Sequence, residues 1–155
     1  MIDSGLVVPI PGSRPLRLRH LVLDFNGTLA RDGRMLPGVR PRLLTLSRRL
    51  RVAVLSADTF GTASRELRRL PVGFEPMKDG AAKGRYAAAR RGVVAIGNGR
   101  NDVEMLKSAA LAIAVVGPEG ACARLLAASD VVVRDIRDAL DLLLEPKRLT
   151  AALRR

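Results

Sequence analysis

Asp24 ends the apolar run Leu21-Val22-Leu23, and Phe25, Asn26, Gly27, Thr28, Leu29 and Ala30 follow it directly. An acid at the end of a buried strand, followed by a tight glycine turn and a hydroxyl, sets a carboxylate against a phosphate. A carboxylate so placed acts as a nucleophile and passes through an aspartyl-phosphate. Asn26-Gly27 also reads as a hairpin turn, since Asn-Gly is the strongest short hairpin signal. The stretch after Ala30 is polar and flexible, however, and does not alternate as a return strand would.

Three more segments with the same bias follow in order. Ser56 and Ala57 end the next apolar run, Lys83 opens a helix, and Gly97-Asn98-Gly99-Arg100-Asn101-Asp102 ends a later run. Alone, Ser56 reads as a helix cap, Lys83 as a surface lysine, and the last segment as a glycine-rich turn. Together they form a phosphoryl-transfer set. Asp24 supplies the attacking oxygen. Magnesium keeps several waters and takes one or two carboxylates, which Asp24 and Asp102 provide. Ser56 and the nearby backbone of Phe25, Asn26 and Ala57 hold the non-bridging phosphate oxygens, and Lys83 neutralises the crowded charge. Gly27 and Gly99 allow close backbone approach, with Thr28, Gly97 and Asn101 in support.

These residues need strands that end on one edge. Apolar runs at 20–25, 52–55, 72–74, 93–96, 111–116 and 131–133 predict strands. Segments of helical period at 39–50, 62–70, 81–91, 101–109, 120–128 and 136–144 lie between them. Nearly all-apolar strands alternating with helices indicate a parallel sheet covered on both faces. The expectation is one three-layer α/β/α domain over 1–155, with an N-terminal β-hairpin within 1–19 and a flap at 31–38. Ligands in such sheets bind outside the carboxyl ends of the strands.

Composition removes several alternatives. The 155 residues, 48% apolar and 27% charged, suit one globular domain. No apolar run nears the ~18 residues of a membrane span, and the N-terminus lacks a leader pattern, so the expected location is cytoplasmic with no membrane partner. His20 is the sole histidine and Cys122 the sole cysteine. Histidine triads, histidine or cysteine zinc sites and an internal disulfide are therefore excluded. The net charge of +12 raises nucleic acid as a partner, but the cations are spread along the chain and aromatics are only 3%. A phosphorylated substrate fits the charge better.

The order of these residues resembles the haloacid dehalogenase-like (HAD) superfamily of phosphotransferases, over residues 21–144. The superfamily pattern runs Asp-x-Asp-x-Thr, a Ser/Thr strand end, a Lys, then Gly-Asp-x-x-x-Asp. This chain carries Asp24-Phe25-Asn26-Gly27-Thr28, Ser56, Lys83 and Gly97-Asn98-Gly99-Arg100-Asn101-Asp102. The resemblance implies a Rossmann-like HAD fold, phosphorylation of Asp24, and a magnesium site formed by Asp24, the Asn26 carbonyl, Asn98 and Asp102. Two residues depart from the pattern. Asn26 replaces the acid that protonates the leaving group and activates water, a contribution of ~10²–10⁴-fold, so turnover should be slow. P-type ATPases likewise lack an acid there. Asn98 replaces a metal-ligating acid and should weaken magnesium. Asp58-Thr59-Phe60-Gly61 and residues 105–110 suit the membrane-free relatives of the P-type ATPase phosphorylation domain.

Neither 31–38 nor 75–82 has room for a cap domain, so closure would come from the flap, a second subunit in a homo-oligomer, or a large substrate. Arg100 and Met35 are the expected side chains at the mouth. A catalytically weak phosphate-binding or regulatory protein is the alternative reading, and a basic nucleic-acid-binding protein a lesser one.

Overall fold

A computed structural model describes residues 5–155. In chain order the elements are β1 (Leu6–Val8), β2 (Leu16–Leu18), β3 (His20–Leu23), β4 (Ala30–Arg31), β5 (Arg34–Met35), α1 (Val39–Leu46), β6 (Arg51–Ser56), α2 (Ala63–Glu66) and β7 (Gly73–Pro76). Then come α3 (Gly80–Ala88), β8 (Val93–Gly97), a 3₁₀ turn (Arg100–Asp102), α4 (Val103–Lys107), β9 (Leu111–Val115), α5 (Ala123–Ala127), β10 (Val131–Val133), α6 (Ile136–Leu144) and α7 (Pro146–Leu153).

Six strands form one parallel sheet in the order β10-β9-β8-β3-β6-β7. Side chains alternate across a strand, and here all four core alanines of this sheet fall on one face. Leu21, Leu23, Val52, Val54, Val94, Ile96, Leu111, Ile113 and Val115 face one layer, where α1, α2, α6 and α7 cover them. Val22, Ala53, Leu55, Val93, Ala95, Ala112 and Ala114 face the other, under α3, α4 and α5. α3 seats its glycines on the turn and helix that follow β8: a Cβ on Gly80 would lie 3.0 Å from the Asn101 carbonyl oxygen and one on Gly84 2.8 Å from Glu104 Cβ. This close approach carries Lys83 to the edge where β3 and β8 end.

The expected N-terminal hairpin pairs Leu6 with Leu18 and Val8 with Leu16. Residues 1–4 of the 1–19 segment lie outside the described residues. A return strand does follow Ala30, contrary to expectation: the start of the 31–38 flap is built as the antiparallel hairpin β4–β5. Asp32 (φ 51) and Gly33 (φ 78) make its turn, the pairing of positive φ values that Asp-Gly favours in two-residue hairpins. The hairpin signal therefore belongs to Asp32-Gly33 and not to Asn26-Gly27.

Several helices are shorter than their apolar period. α5 starts at Ala123 because Gly120 holds φ +72 and the Cys122 N–H donates to the Asn98 carbonyl at 2.8 Å. The helix expected over 101–109 opens as a 3₁₀ turn because Asp102 turns back onto the backbone of Asn98 and Gly99. α7 lies beyond the expected elements. It begins with proline at its first turn, buries Leu149, and ends with the Arg155 N–H on the Pro11 carbonyl at 3.2 Å.

Candidate active site

Asp24 follows β3 directly, and its N–H donates to the Ile96 carbonyl at 3.1 Å, extending the β3–β8 ladder by one residue. This is where the strand order reverses, the switch point at which open α/β sheets bind ligands. The Phe25 carbonyl then accepts three N–H groups, from Thr28 (3.2 Å), Leu29 (2.8 Å) and Ala30 (3.0 Å), while the Gly27 N–H donates to the Ala30 carbonyl at 2.8 Å. Gly27 holds φ 78, and an added Cβ would lie 2.5 Å from Asn98 Nδ2. The Asn26 carbonyl takes none of these four bonds. The Phe25 ring is fully buried, so only its backbone serves the site.

Lys83 is 0% exposed and bridges two acids: its Nζ donates to Asp24 Oδ1 at 3.0 Å and to Asp102 Oδ1 at 2.8 Å. Asp102 Oδ2 accepts the N–H of Asn98 at 3.1 Å and of Gly99 at 3.0 Å. Both oxygens of Asp102 are thus engaged, and this carboxylate anchors Lys83 and the β8 loop. Gly97 has to be glycine for space, since a Cβ there would stand 2.6 Å from the Asp102 carboxyl carbon.

Burial, and then the charge of Asp102, push the Asp24 carboxyl up to about 7, with Lys83 and the Phe25 N–H working against them. Burial draws the Lys83 ammonium down, but the charges and hydrogen bonds of Asp102 and Asp24 prevail and hold its pKa above the ordinary lysine value.

Above Asp24 lies a cavity of about 170 Å³. Asp24, Asn26, Ser56, Ala57, Asn98, Gly99 and Asn101 of the expected set line it. Lys83 and Asp102 sit beneath it, fully buried, and Thr28 braces it from below through a 3.3 Å hydrogen bond to Asn98 Oδ1. Ser56 Oγ accepts the Asp58 N–H at 2.9 Å, so its own hydrogen is free to donate into the cavity. Asn26 Oδ1 accepts the Gly33 N–H at 3.0 Å and ties the β4–β5 hairpin to the mouth. Thr62 Oγ1 donates to the carbonyl of the same Gly33.

The two residues expected at the mouth lie elsewhere. Met35 packs on the core and donates its N–H to Glu66 Oε2 at 3.0 Å. Arg100 borders a separate groove of about 420 Å³ between α4 and α5. Two lining residues, Thr59 and Glu119, were missed. Glu119 follows β9 in Gly117-Pro118-Glu119-Gly120, and its signal was its place at the carboxyl end of a parallel strand.

Of the four expected metal ligands, Asp102 does not line the cavity and has both carboxylate oxygens engaged, whereas Asp24, Asn26 and Asn98 line it and could offer oxygens to a metal. Such a set suits a hard cation. Among the described residues no three His, Cys, Asp or Glu side chains converge on a common metal position. No helix among the described residues is long and apolar enough to cross a membrane.

The parallel sheet and its acid–lysine–acid triad define a class. A sequence profile of haloacid dehalogenase-like hydrolases matches residues 82–138. An uncharacterized protein of Methanocaldococcus jannaschii is 55% identical over 62 residues, covering 40% of this chain and 67% of that protein. The 3-deoxy-D-manno-octulosonate 8-phosphate phosphatase of Moraxella catarrhalis, solved with magnesium and phosphate, superposes with a TM-score of 0.64 at 17% identity, over 87% of this chain and 90% of that one. A zinc-transporting PIB-type ATPase matches with a TM-score of 0.62 at 19% identity, over 76% of this chain and 20% of that one. The chain belongs to the haloacid dehalogenase-like superfamily.

Proposed function

We propose that this protein is a magnesium-dependent phosphohydrolase that works through phosphorylation of Asp24. The observation that carries the reading is the Lys83 ammonium shared between Asp24 and Asp102 under a small polar cavity. Lys83 holds one oxygen of Asp24 and leaves the other to attack phosphorus. Ser56 donates its hydroxyl to a non-bridging phosphate oxygen, on the side of the cavity away from Asn98. The metal would be held by Asp24, the Asn26 carbonyl and Asn98, with Asp102 fixing the loop. When bound, it neutralises charge on the transferring phosphoryl group.

The bond between phosphorus and the leaving oxygen breaks as the bond to Asp24 forms. Asn26 has no proton to give, so the leaving group departs without help from that position. Substrates whose leaving oxygen is already a weak base are favoured. Water then attacks phosphorus, the Asp24 carboxylate is released, and inorganic phosphate leaves. Without an acid at 26 this second step is the slow one. The Moraxella phosphatase, with magnesium and phosphate bound on a similar fold, supports the reading.

The test is hydrolysis of p-nitrophenyl phosphate with and without EDTA, for the native chain and Asp24→Asn. Activity lost in both cases is the expected result. Metal-independent activity, or activity that survives Asp24→Asn, overturns the proposal.

A further inference from the structure

Strand order sets the neighbours along the active edge: Ser56 after β6, Asp24 after β3, Asn98 after β8, and residues 116–122 after β9. Glu119 is therefore on the Asn98 side of Asp24, opposite Ser56. Its turn is well built. The Gly120 N–H donates to the Gly117 carbonyl at 2.9 Å, with Pro118 and Glu119 at the two central positions, the arrangement proline favours in a type I turn.

The turn is held against two neighbouring loops, the one after β8 and the one after β3. Asn98 Nδ2 donates to the Gly120 carbonyl at 3.1 Å, and Gly117 approaches so closely that a Cβ on it would be 3.0 Å from the Gly27 carbonyl. Glu119 Oε2 and Asn98 Nδ2 both press on one point beside Gly27, each 2.5 Å from where its Cβ would be. Glu119 lines the cavity with Asp24 and Asn26. In a chain of net charge +12, it makes no ion pair or hydrogen bond among the described residues.

Asn98, meanwhile, is a neutral amide that also braces this scaffold. Its Oδ1 takes the Thr28 hydroxyl and its Nδ2 holds the Glu119 turn. We infer that Glu119 supplies, from the neighbouring loop, the negative charge that Asn98 withholds from the divalent cation, by accepting hydrogen bonds from the waters the cation retains. Magnesium keeps several waters when few carboxylates ligate it, so a carboxylate one water away acts without replacing a ligand. This inference rests on the proposed magnesium-dependent phosphoryl site. Outer partners of this kind are typically worth about 10–100-fold in metal affinity.

The experiment is titration of the full chain with Mn²⁺, read by the electron paramagnetic resonance of the free ion. Glu119→Gln should weaken binding by about tenfold, and the loss should shrink at high ionic strength. Adding Asn98→Asp to Glu119→Gln should restore the affinity. Glu145→Gln, an acid at the junction of α6 and α7, should bind like the native chain. If Asp24→Asn weakens Mn²⁺ but Glu119→Gln does not, the inference about Glu119 falls and the phosphohydrolase reading stands. If the native chain binds no Mn²⁺, or Asp24→Asn binds as tightly as it does, both fall together.

Discussion

On the proposed reading, Asn26→Asp should speed hydrolysis of the phosphorylated Asp24. Asn26 lines the cavity, and its Oδ1 already accepts the Gly33 N–H at 3.0 Å. An aspartate in the same rotamer keeps that bond with one oxygen. The other oxygen takes the place of the amide nitrogen, facing the cavity, where it can accept a proton from the attacking water. General base catalysis contributes about 10²–10⁴-fold. Because the Gly33 N–H stabilises the charged form and so makes the new carboxylate a weaker base, the gain should lie near the lower end. About 10²-fold in breakdown of the phospho-enzyme corresponds to about 3 kcal/mol off the barrier. Acid quench after mixing with a radiolabelled phosphoryl donor measures how long Asp24 stays phosphorylated. The native chain should accumulate phospho-protein in a burst, and the variant should turn over with little accumulation. If phospho-protein accumulates in both and decays equally in both, residue 26 does not limit the reaction.

Three other perturbations follow from the same geometry. Lys83→Met should lower the unfolding free energy in urea by about 3–5 kcal/mol, the usual result of stranding a buried charge. Adding Asp24→Asn to it should recover part of the loss, and a single variant as stable as the native chain would contradict the buried triad. The raised Asp24 pKa means that the metal-free folded protein holds a proton the unfolded chain gives up near the ordinary aspartate value of 3.8. Its stabilising contribution is complete below that value and is lost as pH rises through about 7. Thermal unfolding of the native chain compared with Asp24→Asn isolates it. Metal binding should release this proton below about pH 7, so Mg²⁺ affinity should fall toward low pH, and calorimetry in buffers of different ionisation enthalpy should register proton release. Gly97→Ala should push its Cβ into the Asp102 carboxyl at 2.6 Å, loosen the Lys83 bridge, and reduce both stability and Mg²⁺ binding, as urea unfolding and the Mn²⁺ titration would register.

The strands were legible because a sheet buried on both faces needs apolar residues at every position, and β3, β6, β8 and β9 supply them. Asp24, Ser56 and Asn98 were legible because each ends such a run. What the one-letter order does not carry is side-chain sharing. Nothing local to Asp102 says that one oxygen will face Lys83 while the other turns back on two N–H groups, since that depends on the close seating of Gly80 and Gly84 of α3 against Asn101 and Glu104. Arg100 and Asn101 are adjacent, yet only Asn101 reaches the cavity, because successive residues of a helical turn point in different directions. The Asp32-Gly33 hairpin had a sufficient signal, masked by the stronger-looking Asn-Gly pair nearby. α7 was likewise announced by Pro146.

The hairpin tied to Asn26 is only a few residues long and none of its residues lines the cavity, which holds about 170 Å³, below the ~300–1,000 Å³ typical of small-molecule pockets. On the proposed reading, the phosphoryl group goes in and the remainder of its carrier stays outside, wetted by bulk solvent. Recognition of that remainder would then contribute little binding energy in an isolated chain. Small phosphate esters should differ mainly in how readily their alcohols depart, and sharp preference should emerge only for a carrier wide enough to rest on the rim.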